Sequence, residues 1–222
     1  MEQPLPTFKT HTPDTVQRAA SVLMLRESTQ GLEVFIQHRA TTMDFAAGVV
    51  VYPGGRVDEQ DSAAAGQVPD LVATAHAKRW AHTSVADLGT EHAAFAASVL
   101  AAAAQREVWE ETGATLSFQQ LQPWANWVTP SGNPKRFDTF FYVAGLEPGQ
   151  EPQHQTTEAT TSQWITTTEL LRASDAGRLR LMAPTRATLQ AVHRLGSLPA
   201  VLGSSAQILP VRPVRPAVHP NR

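Results

Sequence analysis

Residues 92–112, HAAFAASVLAAAAQREVWEET, decide the fold of this chain. The stretch contains no Gly or Pro and is dominated by alanine, the strongest helix former, so it predicts one long helix. Gly113 follows directly and suits the position at which helices commonly end. We therefore expect the rest of the domain to be arranged around this helix.

Apolar segments rich in β-branched and aromatic residues flank the predicted helix on both sides. Such composition is typical of strands. Strands before a central helix, with strands and short helices after it, predict a layered α/β (α+β) domain with a mixed sheet rather than a barrel or a bundle. The predicted strands are residues 19–25, 32–37, 116–118, 124–128, 137–144 and 164–165, the later helices are 168–174 and 185–195, and a short apolar run at 48–52 stops at Pro53-Gly54-Gly55.

Composition excludes several classes of protein. Of the 222 residues, 42% are apolar, which is enough for a buried core. The chain has no cysteine, which excludes disulfides, thiolate zinc sites, iron–sulfur clusters and a cysteine nucleophile. A net charge of −2 without a basic stripe argues against nucleic-acid binding, and no apolar run is long enough to span a membrane. The N-terminus lacks a secretory pattern and the C-terminus is not Ser-Lys-Leu, so we expect a cytoplasmic location.

Three glutamates share one face at the end of the predicted helix. Glu107 lies three residues before Glu110 and four before Glu111, a spacing at which like charges repel. The helix dipole also disfavours anions at this end. A divalent cation would remove both penalties, and clustered carboxylate oxygens suit Mg²⁺ or Mn²⁺. A solvated acidic face is the alternative, although the preceding turns are almost wholly apolar and therefore look buried.

The segment Arg106-Glu107-Val108-Trp109-Glu110-Glu111-Thr112-Gly113 resembles the second half of the Nudix box, Arg-Glu-apolar-x-Glu-Glu-x-Gly-apolar. The first half of that pattern is a Gly followed, after five residues, by a Glu. Here Gly55 is followed by Asp61, a carboxylate in the Glu position; an ordinary loop acid is the alternative. Asp61 lies 45 residues before Arg106, where an unbroken box has eight, so the box looks split by about 37 extra residues.

A split box is similar to one Nudix subgroup, the peroxisomal coenzyme A diphosphatases and their bacterial relatives. Three further segments resemble this subgroup: Gly48-x-x-x-Tyr52-Pro53-Gly54-Gly55, Trp127-Val128-Thr129-Pro130 and Arg136-Phe137-Asp138-Thr139. Glu158, six residues before Trp164, resembles the late glutamate and tryptophan of many Nudix domains. One departure is that the subgroup has an Arg four residues before the motif Gly, whereas the nearest upstream Arg here is Arg39.

The resemblance implies an α/β/α sandwich and a role for each residue that matches it. The Nudix domain would span residues 19–195, with a helical insertion at about 62–91, a lead-in at 1–18 and a Pro-rich tail at 196–222. Metal ligands would be Glu107, Glu110 and Glu111 with the Gly55 carbonyl, Arg106 would orient the glutamates, and Glu107 or Glu158 would act as general base. A tight turn explains Gly54-Gly55 equally well. The candidate phosphate-binding residues are Arg39, Arg56, Lys135 and Arg136.

The function that follows from the resemblance is hydrolysis of a nucleoside-diphosphate-linked substrate with Mg²⁺ or Mn²⁺. We expect coenzyme A or acyl-CoA, cleaved to phosphopantetheine and adenosine 3′,5′-bisphosphate. The alternatives are a Nudix hydrolase of dinucleotide or nucleotide-sugar pyrophosphates, a non-catalytic nucleotide-sensing Nudix domain, and a helical interaction protein with a coincidental acidic patch. The expected partner is a small-molecule pyrophosphate, with no nucleic acid and no membrane; the sequence leaves a homodimer open.

Overall fold

The computed structural model describes residues 16–40, 48–146 and 149–213. Almost all of the predicted lead-in and residues 214–222 of the predicted tail lie outside these ranges. Within them, the helices include none that is long and apolar enough to cross a membrane. The cytoplasmic location stays a prediction.

A mixed sheet forms the centre of the fold. The main path of the sheet is β3-β2-β1-β6-β5-β8, with β4 paired to β1 and β7 paired to β2. β1 and β6 run parallel, whereas β1 pairs antiparallel with both β2 and β4. The strands are β1 (Gln17–Ser28), β2 (Gly31–Arg39), β3 (Val50–Val51), β4 (Gly54–Arg56), β5 (Gln122–Val128), β6 (Phe137–Gly145), β7 (Ala159–Thr166) and β8 (Pro210–Val211).

Helices cover both faces of this sheet. Because successive side chains of a strand point to opposite faces, β1 buries Val22 in the core beside the long helix and Leu23 in the core beside the late helices. The fold is an α/β/α sandwich with a mixed sheet, as predicted. The helices are α1 (Glu59–Ala64), α2 (Asp70–Arg79), α3 (Thr90–Thr112), α4 (Thr167–Asp175), α5 (Ala183–Leu195) and α6 (Leu198–Leu202), with 3-10 turns at Ala65–Gln67 and Ala86–Leu88.

The long helix predicted from residues 92–112 is α3. It ends at Gly113, which has a left-handed backbone (φ 69°) and donates its N–H to the carbonyl of Trp109. In the second half of α3 the alanines and Val108 are buried in the core against the sheet, whereas Trp109 is exposed. The apolar stretch therefore fixes the helix on the sheet, and the three glutamates follow at its end.

Residues 59–88, between β4 and α3, form a helical segment that is part of the core. Trp80 is fully buried in this segment and contacts the rings of Phe140 and Tyr142 edge-on. Ser84, near its end, donates a hydrogen bond to Asp138 of β6 at 2.5 Å. The segment therefore joins the strands and α3 through buried contacts.

The strand predicted at residues 116–118 is wrong. Leu116 is buried, but its carbonyl accepts a hydrogen bond from the Gln105 side chain at 2.5 Å, and the Ser117 N–H donates to Gln120 Oε1 at 2.9 Å. Because side chains already bind these backbone groups, the segment forms an anchored loop and not a strand of the sheet.

Two predicted chain breaks also differ from the structure. The link expected at residues 26–31 is only the turn Thr29-Gln30, because β1 extends to Ser28 and β2 begins at Gly31. The apolar run at 48–52 does not end the local strand structure, because Gly54–Arg56 form β4 along β1. The glycines were expected to end the strand, but in the structure they allow two backbones to pack closely.

The first part of the predicted tail folds onto the domain. Residues 198–202 form α6, whose Val201 is fully buried, and Pro210–Val211 pair in parallel with β5. Proline does not prevent this pairing because β8 lies at the edge of the sheet.

Candidate active site

Arg106 connects the end of α3 to α1. Its guanidinium contacts Asp61 twice, Nε to Oδ1 at 2.8 Å and Nη2 to Oδ2 at 2.9 Å. Its Nη1 contacts Glu107 Oε1 at 2.8 Å and Glu110 Oε2 at 3.1 Å. Asp61 is almost fully buried and also accepts the Asp58 N–H at 2.7 Å. One arginine thus holds two glutamates in place and is itself held by a buried carboxylate from a distant part of the chain.

The glycine pair of β4 lies directly against the glutamates of α3. The Gly54 N–H donates to Glu111 Oε2 at 3.1 Å, and a Cβ atom at Gly55 would overlap the carboxylate of Glu107. A side chain at either position would also disturb the close approach of β4 to β1 or α3. The glycines therefore serve close packing within a strand rather than a tight turn.

Burial and mutual repulsion change the acidity of these glutamates. Burial, followed by the charge of Glu107, raises the pKa of Glu111 to about 8. Burial also raises the pKa of Glu107, an effect that the Arg106 guanidinium opposes. A cation bound between these carboxylates would favour their charged forms.

One cavity of about 910 Å³ brings together the side chains predicted for the site. We call Glu107, Glu110 and Glu111 the acidic set and Arg39, Arg56, Lys135 and Arg136 the basic set. Both sets line the cavity, together with Gly55 and Glu158. Arg106 lies behind the acidic set, consistent with a residue that orients the glutamates.

The members of the basic set come from different elements. Arg39, at the end of β2, has its Nη2 3.6 Å from Glu158 Oε2. Arg136, at the start of β6, donates from Nε to the Thr129 carbonyl at 3.4 Å. Lys135 precedes it, and Arg56 ends β4; both are exposed.

The sequence analysis missed the floor of this cavity. Alternate residues of two parallel strands form it: Gln17, Ala19 and Ser21 of β1, and Phe137, Thr139 and Phe141 of β6. A second group missed by the sequence analysis gives one end of the cavity an apolar lining: Val51, Met182 and Pro184. The two-residue periodicity of the strands could have indicated the floor residues, but only once the β1–β6 pairing was known.

The donor set suits a hard divalent cation. Within the described ranges, no three acidic or histidine side chains are already gathered as a preformed metal-binding group. The acidic set nevertheless offers only oxygen donors, the chemistry that Mg²⁺ and Mn²⁺ select. The buried Glu111 carboxylate, with its raised pKa and a single backbone donor at Gly54, has the environment that a bound cation would stabilise.

The sequence comparisons match the part of the chain that carries the acidic set. Residues 97–185 match the family model of the NUDIX domain. A Caenorhabditis elegans protein, provisionally named nudix hydrolase 7, is 25% identical over 174 residues, covering 75% of this chain and 57% of that protein. This chain therefore spans little more than half the length of that relative.

Solved structures share the fold. A NUDIX hydrolase from Alicyclobacillus acidocaldarius superposes with a TM-score of 0.68 at 21% identity, covering 90% of this chain and 99% of that one. The NUDIX domain of Shewanella oneidensis NrtR, complexed with ADP ribose, gives a TM-score of 0.52 at 16% identity, covering 82% and 90%. Residues 97–185 are thus similar to the NUDIX domain in sequence, and the whole described domain shares its fold with solved NUDIX structures.

Proposed function

We propose that this protein is a divalent-metal-dependent Nudix pyrophosphohydrolase. The observation that carries the proposal is the meeting of the acidic set and the basic set in one cavity. A diphosphate resists attack by water because its oxygens are negative. Cations on the basic set would bind the outer phosphate oxygens, and the acidic set would hold the metal on which this chemistry depends.

The roles of the acidic residues follow from their surroundings. Glu107, Glu110 and Glu111, with the Gly55 carbonyl, would hold Mg²⁺ or Mn²⁺, which neutralises phosphate charge and acidifies water when bound. Arg106 keeps Glu107 and Glu110 oriented through charge-assisted hydrogen bonds. Glu107 or Glu158 would accept the proton of the attacking water, since both carboxylates line the cavity.

The finer proposal is that the substrate is coenzyme A or acyl-CoA. Such a substrate carries a diphosphate, an additional 3′-phosphate and a long arm that is partly apolar. The apolar end of the cavity, at Val51, Met182 and Pro184, supports this choice because it offers a surface to such an arm. The insertion that splits the Nudix box would be residues 62–91, which include most of the helical segment. Asp61, directly before it, would take the position of the box glutamate.

The first alternative is a dinucleotide or nucleotide-sugar pyrophosphate, which would use the same acidic set and part of the basic set. A nucleotide sensor without activity is the second alternative. The presence of Arg106 and all three glutamates favours an enzyme, because a sensor has no need of metal-binding carboxylates.

A substrate panel tests the proposal. Coenzyme A, acetyl-CoA, a diadenosine polyphosphate, ADP-ribose and a nucleotide sugar would be incubated with the protein and Mg²⁺ or Mn²⁺, and products identified by mass spectrometry. We expect metal-dependent release of phosphopantetheine and adenosine 3′,5′-bisphosphate from coenzyme A. Faster turnover of a dinucleotide or sugar would select the first alternative, and binding without turnover of any substrate would select the sensor.

A further inference from the structure

The cavity floor carries a pair of side chains suited to a nucleobase. Gln17 of β1 and Phe137 of β6 are register partners in the parallel ladder, and both line the cavity. Neighbouring strands lie about 4.8 Å apart, and partnered residues project on the same face. The Gln17 amide and the Phe137 ring therefore stand side by side on the cavity floor, and both are half-buried.

The chemistry of this pair fits adenine. An aromatic ring can stack on any nucleobase, because every base has a flat π-face. A glutamine amide offers one donor and one acceptor in a plane, the pair that reads the N6 and N7 edge of adenine. Arg136 precedes Phe137 in the chain and lines the same cavity, which therefore also offers a cation for a phosphate of the nucleotide.

Two further register pairs separate this pair from the acidic set. Moving inward along the floor, the next register pairs are Ala19 with Thr139 and Ser21 with Phe141. Ser21 also pairs with Gly54, whose N–H binds Glu111. Four residues of strand span about 13 Å. A base at Phe137 would therefore leave room for its ribose before the phosphates reach the acidic set.

The strand that carries Phe137 is fixed from behind. Asp138 points to the opposite face, where its buried carboxylate accepts hydrogen bonds from Asn126 Nδ2 at 2.6 Å and from Ser84 Oγ at 2.5 Å. These bonds join the start of β6 to β5 and to the helical segment. The backbone that carries the Phe137 ring is thus held in place before a ligand arrives, which lowers the entropic cost of binding.

We propose that Gln17 and Phe137 form the adenine subsite of this cavity, with Phe137 stacking on the base and Gln17 reading its edge. The inference rests on the function proposed above and identifies the nucleotide half of the substrate as an adenine nucleotide. The apolar end at Val51 and Met182 is then left for the other half of the substrate.

Equilibrium binding tests the subsite without any turnover. AMP, GMP and the base-free ribose 5-phosphate would be titrated with Mg²⁺ by calorimetry into the full chain; none of them contains a phosphoanhydride bond. Phe137→Leu should weaken AMP binding roughly 5–100-fold, the range for loss of one stacked base. Gln17→Leu should weaken AMP about 10-fold and reduce the preference for AMP over GMP. Neither change should alter ribose 5-phosphate binding.

The controls separate the subsite from folding and from the proposed function. Gln30→Leu, in the exposed β1–β2 turn, should leave AMP binding unchanged, and Phe137→Trp should retain it because stacking is preserved. Losses that are equal for AMP and ribose 5-phosphate, or no loss in either cavity variant, would overturn the subsite even if the substrate panel shows hydrolysis. Base-selective binding of AMP without hydrolysis of any panel substrate would leave the subsite standing and remove the proposed function.

Discussion

The acidic set and the basic set face the same cavity, but different kinds of structure hold them. The acidic set lies on consecutive turns of α3. Arg106, whose side chain is 14% exposed, holds Glu107 and Glu110 and bridges to the buried Asp61, and the Gly54 N–H binds Glu111. The basic set is distributed over β2, β4 and the start of β6, and Lys135 and Arg56 are exposed. A hydrogen-bonded network therefore supports the proposed metal-binding side of the cavity, whereas separate side chains at strand ends form the proposed phosphate-binding side.

The difference in support fits the two proposed roles, metal binding and phosphate binding. Metal ligands must be held in a narrow geometry, which packing and charge-assisted hydrogen bonds provide. Phosphate-binding cations act over a longer range and tolerate more movement. We therefore expect substitutions in the acidic set or its support to cause larger and less selective losses than substitutions in the basic set.

The largest expected effect is loss of hydrolysis in Glu111→Gln. The change keeps the shape of the side chain and leaves an oxygen for the Gly54 N–H, but it removes a buried negative charge. Turnover of the best panel substrate should fall at least ~10²–10⁴-fold, the range for a lost catalytic group. At a pH above the Glu111 pKa of about 8, the free energy of unfolding of the metal-free protein should hold or rise, because a repulsion between Glu107 and Glu111 disappears. Steady-state kinetics and urea unfolding measure the two effects.

Glu169→Gln is the matched control for that substitution. Glu169 lies on α4 in an exposed ion pair with Arg178, away from the cavity lining. The Glu169→Gln variant should turn over the substrate as fast as the unchanged protein. Near-normal turnover in both Glu111→Gln and Glu107→Gln would contradict a metal site on the acidic set.

The next effect concerns the support of the acidic set. Arg106→Ala leaves Asp61 buried without its guanidinium partner, and removal of one member of a buried ion pair costs about 3–5 kcal/mol. Arg178→Ala, which breaks the exposed pair between Arg178 and Glu169 of α4, should cost no more than about 1 kcal/mol. Urea unfolding of the two variants gives the comparison. Equal losses in the free energy of unfolding would mean that the Arg106 network stabilises the fold no more than an exposed ion pair does.

Local spacing explains why the acidic set could be predicted. Residues three and four apart on a helix share a face, so the helix pattern alone placed Glu107 beside Glu110 and Glu111. The pairing of Arg106 with Asp61 spans 45 residues. No local rule connects residues so far apart, and only the resemblance to the Nudix box indicated that they belong together.

The location of the basic set and of the floor residues in one cavity depends on how the strands pair, which the local sequence does not reveal. Lys135 and Arg136 follow a loop, and Arg39 ends a strand nearly a hundred residues earlier. The cavity joins them only because β1 pairs with both β6 and β2. Gln17 next to Phe137 depends on the same pairing. At residues 116–118 the sequence predicted a strand that does not form. The apolar residues favoured a strand, but side-chain hydrogen bonds to the backbone stabilise a loop there.

A smaller and more selective effect is expected from the basic set. If Arg136 binds the 3′-phosphate of coenzyme A, Arg136→Ala should lower kcat/KM for coenzyme A. The loss should correspond to about 1.5–3 kcal/mol of transition-state stabilisation, the contribution of a charged hydrogen bond. Dephospho-coenzyme A lacks that phosphate and should be hardly affected. Arg194→Ala, exposed near the end of α5, serves as the control. Equal losses on both substrates would place Arg136 on the diphosphate or in the scaffold.

The smallest expected effect is a pH dependence of stability from His76, on α2 in the helical segment that carries Asp61 at its start. His76 is buried beside Tyr142, and this burial lowers its pKa to about 4. The unfolded chain, with a histidine pKa near 6.5, binds a proton more readily, so stability falls as the pH drops from about 6.5 toward 4. Between pH 7 and pH 5.5 the loss should be about 1 kcal/mol, measured by urea unfolding. Glu111, with its raised pKa, acts in the opposite direction, so the difference between His76→Gln and the unchanged protein isolates the histidine. Identical pH profiles for the two proteins would show that His76 takes up its proton in the folded state, and that the helical segment behind the acidic set is less rigid than its burial indicates.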